Sequence, residues 1–367
     1  MRTTALLDSP HRRANLRLAW LAPFAGALWA CDSNEAPTEP ALQAVPTADA
    51  LAAYEVVRLG SLGGGYGEAS DMDQFGRIVG ESQTSDGRFH AFLWQNGVMR
   101  DLGALPNPIL TSSRAMDINN RGQIVGFSLA DDVVGGGSDD HAVLWDKGTV
   151  RDLGTLGGRA SRAFEINPFG VIVGFAQNAN GKERAVRWVN GEIQSLGTLG
   201  GPTSAAIGIN AAGHIVGRSQ DRSGAFRAFI WRDGAMTDLG GLGGRFTQAN
   251  AINAKGQVAG YGEDRSGAVH AILWSGGRII DLGVLPDDRQ SYGQDIDGEG
   301  RVAGYSEARP TAGARTRAFV WENGKLRNLG YLAGRPNRSL GISPGGDLVG
   351  SSIDDSGTQV ATLWRRQ

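Results

Sequence analysis

Seven tryptophans recur at one slot of a repeated sequence: Trp94, Trp145, Trp188, Trp231, Trp274, Trp321 and Trp364, spaced by 51, 43, 43, 43, 47 and 43 residues. The chain has nine tryptophans, and the other two, Trp20 and Trp29, lie near the N-terminus, away from the repeats. A period of ~40–50 residues of strand-like sequence marks a β-propeller, in which each repeat is a small sheet that buries its faces only against its neighbours. Such scaffolds carry unrelated activities, so the period constrains architecture and leaves function to particular residues.

Aligned on the tryptophan, residues 153–188 show the shared order: Leu-Gly-x-Leu-Gly-Gly, Ala-x-x-Ile-Asn, Gly-x-Ile-Val-Gly, then x-Ala-apolar-x-Trp. Ile166-Asn167-Pro168-Phe169-Gly170-Val171-Ile172 is an apolar run, a polar tight turn and a second apolar run. Asparagine bonds its own backbone and glycine accepts positive φ, so this reads as a hairpin. The same step recurs at Asp73/Gly76, Asn119/Gly122, Asn210/Gly213, Asn253/Gly256, Asp297/Gly300 and Ser343/Gly346. Stretches ending in Trp, such as His90–Trp94, are apolar on both alternations, as expected of a strand covered on two faces. A short turn such as Gln95-Asn96-Gly97 then leads to a fourth strand ending Asp101-Leu102-Gly103.

The two ends complement each other. Glu55–Gly60 matches a fourth strand without its first three, and the chain stops three residues after Trp364 with no fourth strand. The expectation is an all-β, seven-bladed β-propeller of four-stranded antiparallel blades over residues 54–367. Its last blade is shared between Tyr54–Leu59 and Ser339–Trp364, which leaves no sheet half-built.

His90-Ala91-Phe92, together with the Leu-Gly-Gly, Ile-Asn and Val-Gly elements, resembles the HAF-repeat family of extracellular bacterial repeat proteins, from about Val57 to Trp364. Arg184, Arg227, Arg317 and Val360 replace the histidine in four copies, and Val143, Val186, Ile272 and Thr362 replace the phenylalanine. The resemblance implies an exported repeat protein; it brings no assigned reaction and no catalytic residues.

Residues 1–30 read as a signal peptide: Arg2, Arg12, Arg13 and Arg17 precede the apolar stretch Leu18–Ala30, which is too short to span a bilayer. Cys31, the single cysteine, follows Leu28-Trp29-Ala30 as in a lipobox and is the expected lipidation site. Arg12–Arg17 faintly resembles a twin-arginine signal, but Asn15 stands where an apolar residue belongs, so Sec export is preferred. Residues 32–53, rich in Pro, Ala and acidic side chains, read as a disordered tether. The chain carries a net charge of −2, and removing residues 1–30 leaves about −5. A mildly acidic body attracts no phosphate backbone, so nucleic acid is excluded as a partner.

One cysteine allows no disulfide framework and no thiolate metal site. No Gly-x-Ser-x-Gly, His-Glu-x-x-His or phosphate-loop motif is present, and Gly240–Gly244 repeats in most blades as turn sequence. His90, His141 and His270 hold equivalent slots of different blades, so a shared metal is not expected. Asp295–Gly300 reads as an Asp-Gly turn, not a calcium loop. No metal and no cofactor are expected.

Two groups remain as candidates. Asp71, Asp117, Glu165 and Asp295 precede the Ile or Met of the first strand in four blades and form an acidic arc along the channel, or hydrogen-bond between blades. Blades 2 and 6 have long loops on one face, offering Asp131, Asp132, Asp139 and Asp140, and Arg289, Arg309 and Arg315, as a ligand-binding surface. The leading reading is a monomeric, exported, membrane-anchored module that binds a protein or glycan of the cell envelope without catalysis. The alternatives are a hydrolase or lyase at the channel mouth and a structural envelope-assembly protein.

Overall fold

The computed structural model describes residues 54–106, 111–130, 139–308, 316–329 and 337–367. Cys31 and the expected signal and tether segments lie outside these residues. Regular structure within them is entirely β-strand, and among them no helix is long and apolar enough to cross a membrane.

The strands pair into six sheets, five of four strands and one of eight. The eight-stranded sheet is two four-stranded antiparallel groups joined at a single parallel pair, Phe226 with Phe246. The sequence repeats therefore map onto consecutive four-stranded groups: unit 1 (Gly63–Gly103), unit 2 (Ser113–Asp152), unit 3 (Gly157–Gly197), unit 4 (Gly200–Asp238), unit 5 (Gly243–Asp281), unit 6 (Gln290–Asn328) and unit 7 (Asn337–Arg366). Unit 7 supplies three strands, and Tyr54–Arg58 completes it by pairing antiparallel with Gln359–Arg366, Val56 opposite Trp364.

Unit 3 shows why this sequence folds so. Its strands Gly157–Ile166, Ile172–Asn178, Glu183–Val189 and Glu192–Gly197 pair in chain order. In the first turn Asn167 Oδ1 accepts the N–H groups of Phe169 and Val171, both at 3.0 Å, and Gly170 takes φ 87°. The last turn places Asn190 and Gly191 at φ 53° and 87°, the handedness of a two-residue hairpin. Trp188 lies between Ile172 and Ile193 on the neighbouring strands and is 1% exposed. Cross-strand pairs of this aromatic–aliphatic kind stabilise a sheet by ~0.2–1 kcal/mol beyond burial.

The core is divided among the junctions. One cluster joins Val125 and Leu144 of unit 2 to Ile166, Ile172 and Trp188 of unit 3, and each later junction repeats this arrangement. Leu363 and Val349 of unit 7 pack with Met72, Ile78 and Trp94 of unit 1, so the succession of cores returns to its start.

Two sets of polar ties accompany these cores. The N–H of the repeated third-strand Ala donates to a first-strand hydroxyl of the next unit: Ala91 to Ser113 (2.9 Å), Ala142 to Ser161 (2.9 Å), Ala185 to Ser204 (2.9 Å), Ala228 to Thr247 (3.0 Å) and Ala271 to Ser291 (2.8 Å). At the turns, Asn119, Asn167, Asn210 and Asn253 each donate Nδ2 to the carbonyl of the equivalent residue in the next unit, at 3.2, 3.3, 3.2 and 2.9 Å. Units 1 and 6 have Asp73 and Asp297 there, which cannot donate. In these units an arginine four residues on takes over the amide's role. Arg77 pairs with Asp73 and reaches Asn120 O at 3.1 Å, and Arg301 pairs with Asp297 and reaches Pro344 O at 3.1 Å. Asn167→Asp, which has no arginine to help it, should therefore lose ~1–3 kcal/mol through an unsatisfied buried carbonyl and added charge. A denaturant melt measures this, and an unchanged midpoint would show that the tie contributes nothing.

Candidate functional site

The first strands of successive units touch one another, and that of unit 1 touches that of unit 7, so they are the innermost elements. Their side chains form two polar tiers, one near the Asn/Asp-Gly turns and one toward the opposite edge of the blades, here called the loop side.

The turn-side tier holds the acidic arc. Asp117 accepts the N–H of Ile118 and of Ile166 in the next unit, both at 2.6 Å. Glu165 accepts Ile209 N–H at 2.9 Å, and Asp295 accepts Ile296 and Ile342 at 2.7 and 2.8 Å. Three of the four carboxylates thus bridge adjacent units. Asp71 instead shares a side-chain hydrogen bond with Asp117. Burial raises all four above ordinary carboxyl values. The Asp117 charge and the shared hydrogen bond push Asp71 well up, and the Asp117 and Asp295 charges add to burial at Glu165. Asp295 is pushed up to about 6, chiefly by burial.

Groups with raised values stabilise the fold fully below their unfolded value of ~4 and lose that contribution as pH rises through the folded one. The melting temperature should therefore fall by several degrees between pH 5 and pH 8. Asp71→Asn keeps a donor toward Asp117 and should flatten the fall; a slope equal to the parent's would remove Asp71 from this account.

The loop-side tier was not foreseen. Three residues before the acidic slot stand Glu68, Arg114, Arg162, Ala205, Gln248, Tyr292 and Arg338. Glu68 is 5% exposed and accepts Tyr66 Oη at 2.8 Å and Gln359 Nε2 of unit 7 at 3.2 Å. Arg114 lies 3.5 Å from Glu68 and donates to Glu81 at 3.4 Å. Burial works to raise Glu68, but Arg114, Arg338 and Tyr66 outweigh it and hold the carboxyl below its usual range. At Glu81 burial prevails over Arg114, with help from the Glu68 charge, and the carboxyl is raised. Across units 4 to 6, rings adjoin in sequence: Phe226–Phe246 (6.0 Å), Phe246–Tyr261 (5.7 Å), Tyr261–Tyr292 (5.0 Å) and Tyr292–Tyr305 (4.9 Å). A comparison of this one slot across the repeats shows charges interrupting an otherwise small or apolar strand, but nothing in a single repeat says that they meet.

Of the loop candidates, Asp131, Asp132, Arg309 and Arg315 lie outside the described residues. Asp139 pairs with Arg159 (2.8 Å to Nε), and Asp140 pairs with Arg162 (2.9 Å to Nε), whose guanidinium stacks on Phe127. Asp140 thereby joins the loop-side tier. Arg289 is exposed, and among the described residues no hydrogen bond or ion pair joins it to Asp139 or Asp140. The three histidines each pair with a fourth-strand aspartate: His90 with Asp101 (2.8 Å), His141 with Asp152 (2.6 Å) and His270 with Asp281 (2.8 Å). His141 also reaches Arg159 O of unit 3 at 3.2 Å, and Arg184 and Arg227 reach Pro202 O and Gly244 O of their next units. At this slot His141, Arg184 and Arg227 alike reach a backbone carbonyl of the following unit, whereas His90 meets the Thr111 hydroxyl at 3.2 Å and Arg317 reaches Pro286 O ahead of its own unit. Among the described residues no group of three or more His, Cys, Asp or Glu is placed to hold a metal ion.

No family model and no curated protein matches the chain. Among solved structures it is similar to a puromycin hydrolase S511A mutant (17% identity, TM-score 0.50, covering 87% of this chain and 52% of that one). It is also similar to TolB from Acinetobacter baumannii (9% identity, TM-score 0.46, 67% and 64%). A puromycin-hydrolyzing peptidase of Mycobacterium tuberculosis aligns at 13% identity and TM-score 0.47, over 82% and 49%. The chain thus spans only about half to two-thirds of the length of these proteins. The likeness to the puromycin hydrolase shows a β-propeller fold and nothing of its chemistry.

Proposed function

We propose that the chain is an exported, membrane-anchored propeller of seven blades that binds a protein or glycan of the cell envelope without catalysing a reaction. The blade count is supported by the seven Trp repeats, by the core at each junction and by the completion of unit 7 by Tyr54–Arg58. Residues 1–30 direct export, Cys31 carries the lipid, residues 32–53 form the tether, and the propeller acts as a monomer. The observation that carries the binding reading is the use of the inner carboxylates. Asp117, Glu165 and Asp295 hold backbone N–H groups of the next unit, which commits them to joining blades and not to acid–base work. The ligand face is the one to which the sequence assigns the long loops of blades 2 and 6.

Capture from native envelopes, with and without residues 131–138, tests this reading. The intact chain should retain a partner that the deletion loses, and equal capture by both would remove the loop face. Cys31→Ser should release the protein from membranes; persistent attachment would remove the lipid anchor. The alternative of a hydrolase or lyase rests on the Asp71–Asp117 pair, two carboxyl groups sharing a hydrogen bond with raised values. Turnover of an envelope polymer that Asp71→Asn abolishes would favour it.

A further inference from the structure

We infer that the loop-side tier around Arg114, Glu81 and Glu68 is a subsite for a neutral, hydroxyl-rich saccharide; this rests on the binding reading above and names its ligand class. Arg114 is the central group. Its side chain is 12% exposed, its Nε–H is buried with no acceptor, and its contacts with Glu68 and Glu81 are 3.5 and 3.4 Å. Guanidinium–carboxylate hydrogen bonds ordinarily close to ~2.7–2.9 Å, so these are loose. A buried donor left without an acceptor costs ~1–3 kcal/mol, so the guanidinium is under-satisfied where it stands, and its accessible 12% is the part that a ligand oxygen can meet. Glu81 is the complementary acceptor. Its side chain keeps 18% of its surface accessible; Arg114 pairs with it at 3.4 Å and Arg162 acts on it from farther away.

Charge selects among ligands. An anion entering beside Arg114 meets Glu68 and Glu81 on either side, with Asp140 acting on Glu81 as well. Arg162 and Arg338 act on the same carboxylates, so opposite charges balance and no net positive charge draws it in. A cation meets Arg114 itself. Two adjacent hydroxyl groups match both partners at once: one oxygen accepts from Arg114, and the next O–H donates to Glu81. The same tier supplies ring faces for the apolar C–H side of a sugar. Tyr66 and Phe89, both half-buried, stand edge-on at 5.3 Å, and the half-buried Tyr261 and Tyr292 continue the tier in units 5 and 6. Apolar and aromatic walls with a few placed polar groups are the ordinary make-up of a small-ligand site.

The test uses the full-length chain in detergent, titrated with neutral oligosaccharides of glucose and of N-acetylglucosamine. Oligogalacturonate of equal length is the acidic control. Saturation-transfer NMR and intrinsic fluorescence are the readouts. A neutral oligosaccharide should bind and the acidic one should bind more weakly. Glu81→Gln should weaken neutral-sugar binding by roughly tenfold. Tyr66→Leu, which removes the ring face and leaves both arginine contacts in place, should weaken it less and decides the matter if Glu81→Gln does not fold. Absence of neutral binding at millimolar concentrations, preference for the acidic oligomer, or affinity unchanged in the folded variants would each overturn the inference. If the sugars fail while envelope capture still depends on residues 131–138, the binding reading stands and the saccharide assignment alone falls.

Discussion

Deleting Tyr54–Leu59 lowers the melting temperature by roughly 10 °C or more, the larger of two stability effects expected of this fold. Tyr54 and Leu59 are buried, and Val56 and Val57 pack against the cores on either side of unit 7. Four apolar side chains at ~1.5–3 kcal/mol each amount to about 6–12 kcal/mol. The deletion also turns Gln359–Arg366 into an open edge, with a row of unpaired backbone groups. The junction between units 7 and 1 makes the loss harder to absorb. Gly67 stands where units 2 to 6 place the tie-forming Ser or Thr, Gly341 stands in the acidic slot, and Ser343 replaces the asparagine. What remains there is the core cluster containing Leu59, and Gln359 donating to Tyr66 and Glu68 at 3.2 Å each. Thermal melts of the parent and the deletion decide the point, and an unchanged midpoint would contradict closure by the N-terminal strand. Adding a peptide of residues 54–60 should restore part of the loss.

What was legible in the sequence is what local chemistry and period determine. The Trp slot, the Asn-to-Gly turn and the fourth-strand character of Glu55–Gly60 each follow from short-range rules, and Val56 duly lies opposite Trp364 where other units place Met99 or Ile193. Inter-unit hydrogen bonding by the acidic slot was legible as well, because a carboxylate two residues before the turn Asn or Asp has few other groups to meet. The loop-side tier was not. Arg114, within Ser-Arg-Ala-Met-Asp, reads like a solvent-facing residue of an alternating strand, and only the closing of one unit on the next gives it Glu68 and Glu81. The exchange of Asn for an Asp with Arg four residues later was present in the sequence at Asp73/Arg77 and Asp297/Arg301. Its meaning depends on the neighbouring turn carbonyl, which a single repeat does not contain.

Gly174→Ala destabilises the fold by roughly 3 kcal/mol, at the upper end of overpacking costs. The glycine of the repeated Val-Gly lies opposite a register shift between Ala163 and Glu165, where the first strand bulges toward it. A Cβ at Gly174 would fall 1.9 Å from Arg162 O, and the equivalent glycines repeat the encounter: Gly80 with Glu68 O at 2.0 Å, Gly126 with Arg114 O at 1.9 Å and Gly350 with Arg338 O at 2.0 Å. The obstacle is backbone, so no rotamer change relieves it and the first strand must move. Gly213→Ala is the control. There φ is 80° and nothing lies within 4 Å of the added carbon, so the cost is the left-handed strain alone, ~1–2 kcal/mol. Denaturant melts of the two variants separate close approach from backbone strain, and equal losses would refute the clash. The blocked carbonyls belong to the residues of the loop-side tier, Glu68, Arg114, Arg162 and Arg338 among them. The glycine that lets each blade bulge inward is therefore also what sets the depth of the charged groups, and Gly126→Ala should disturb the Arg114 cluster even where the fold survives.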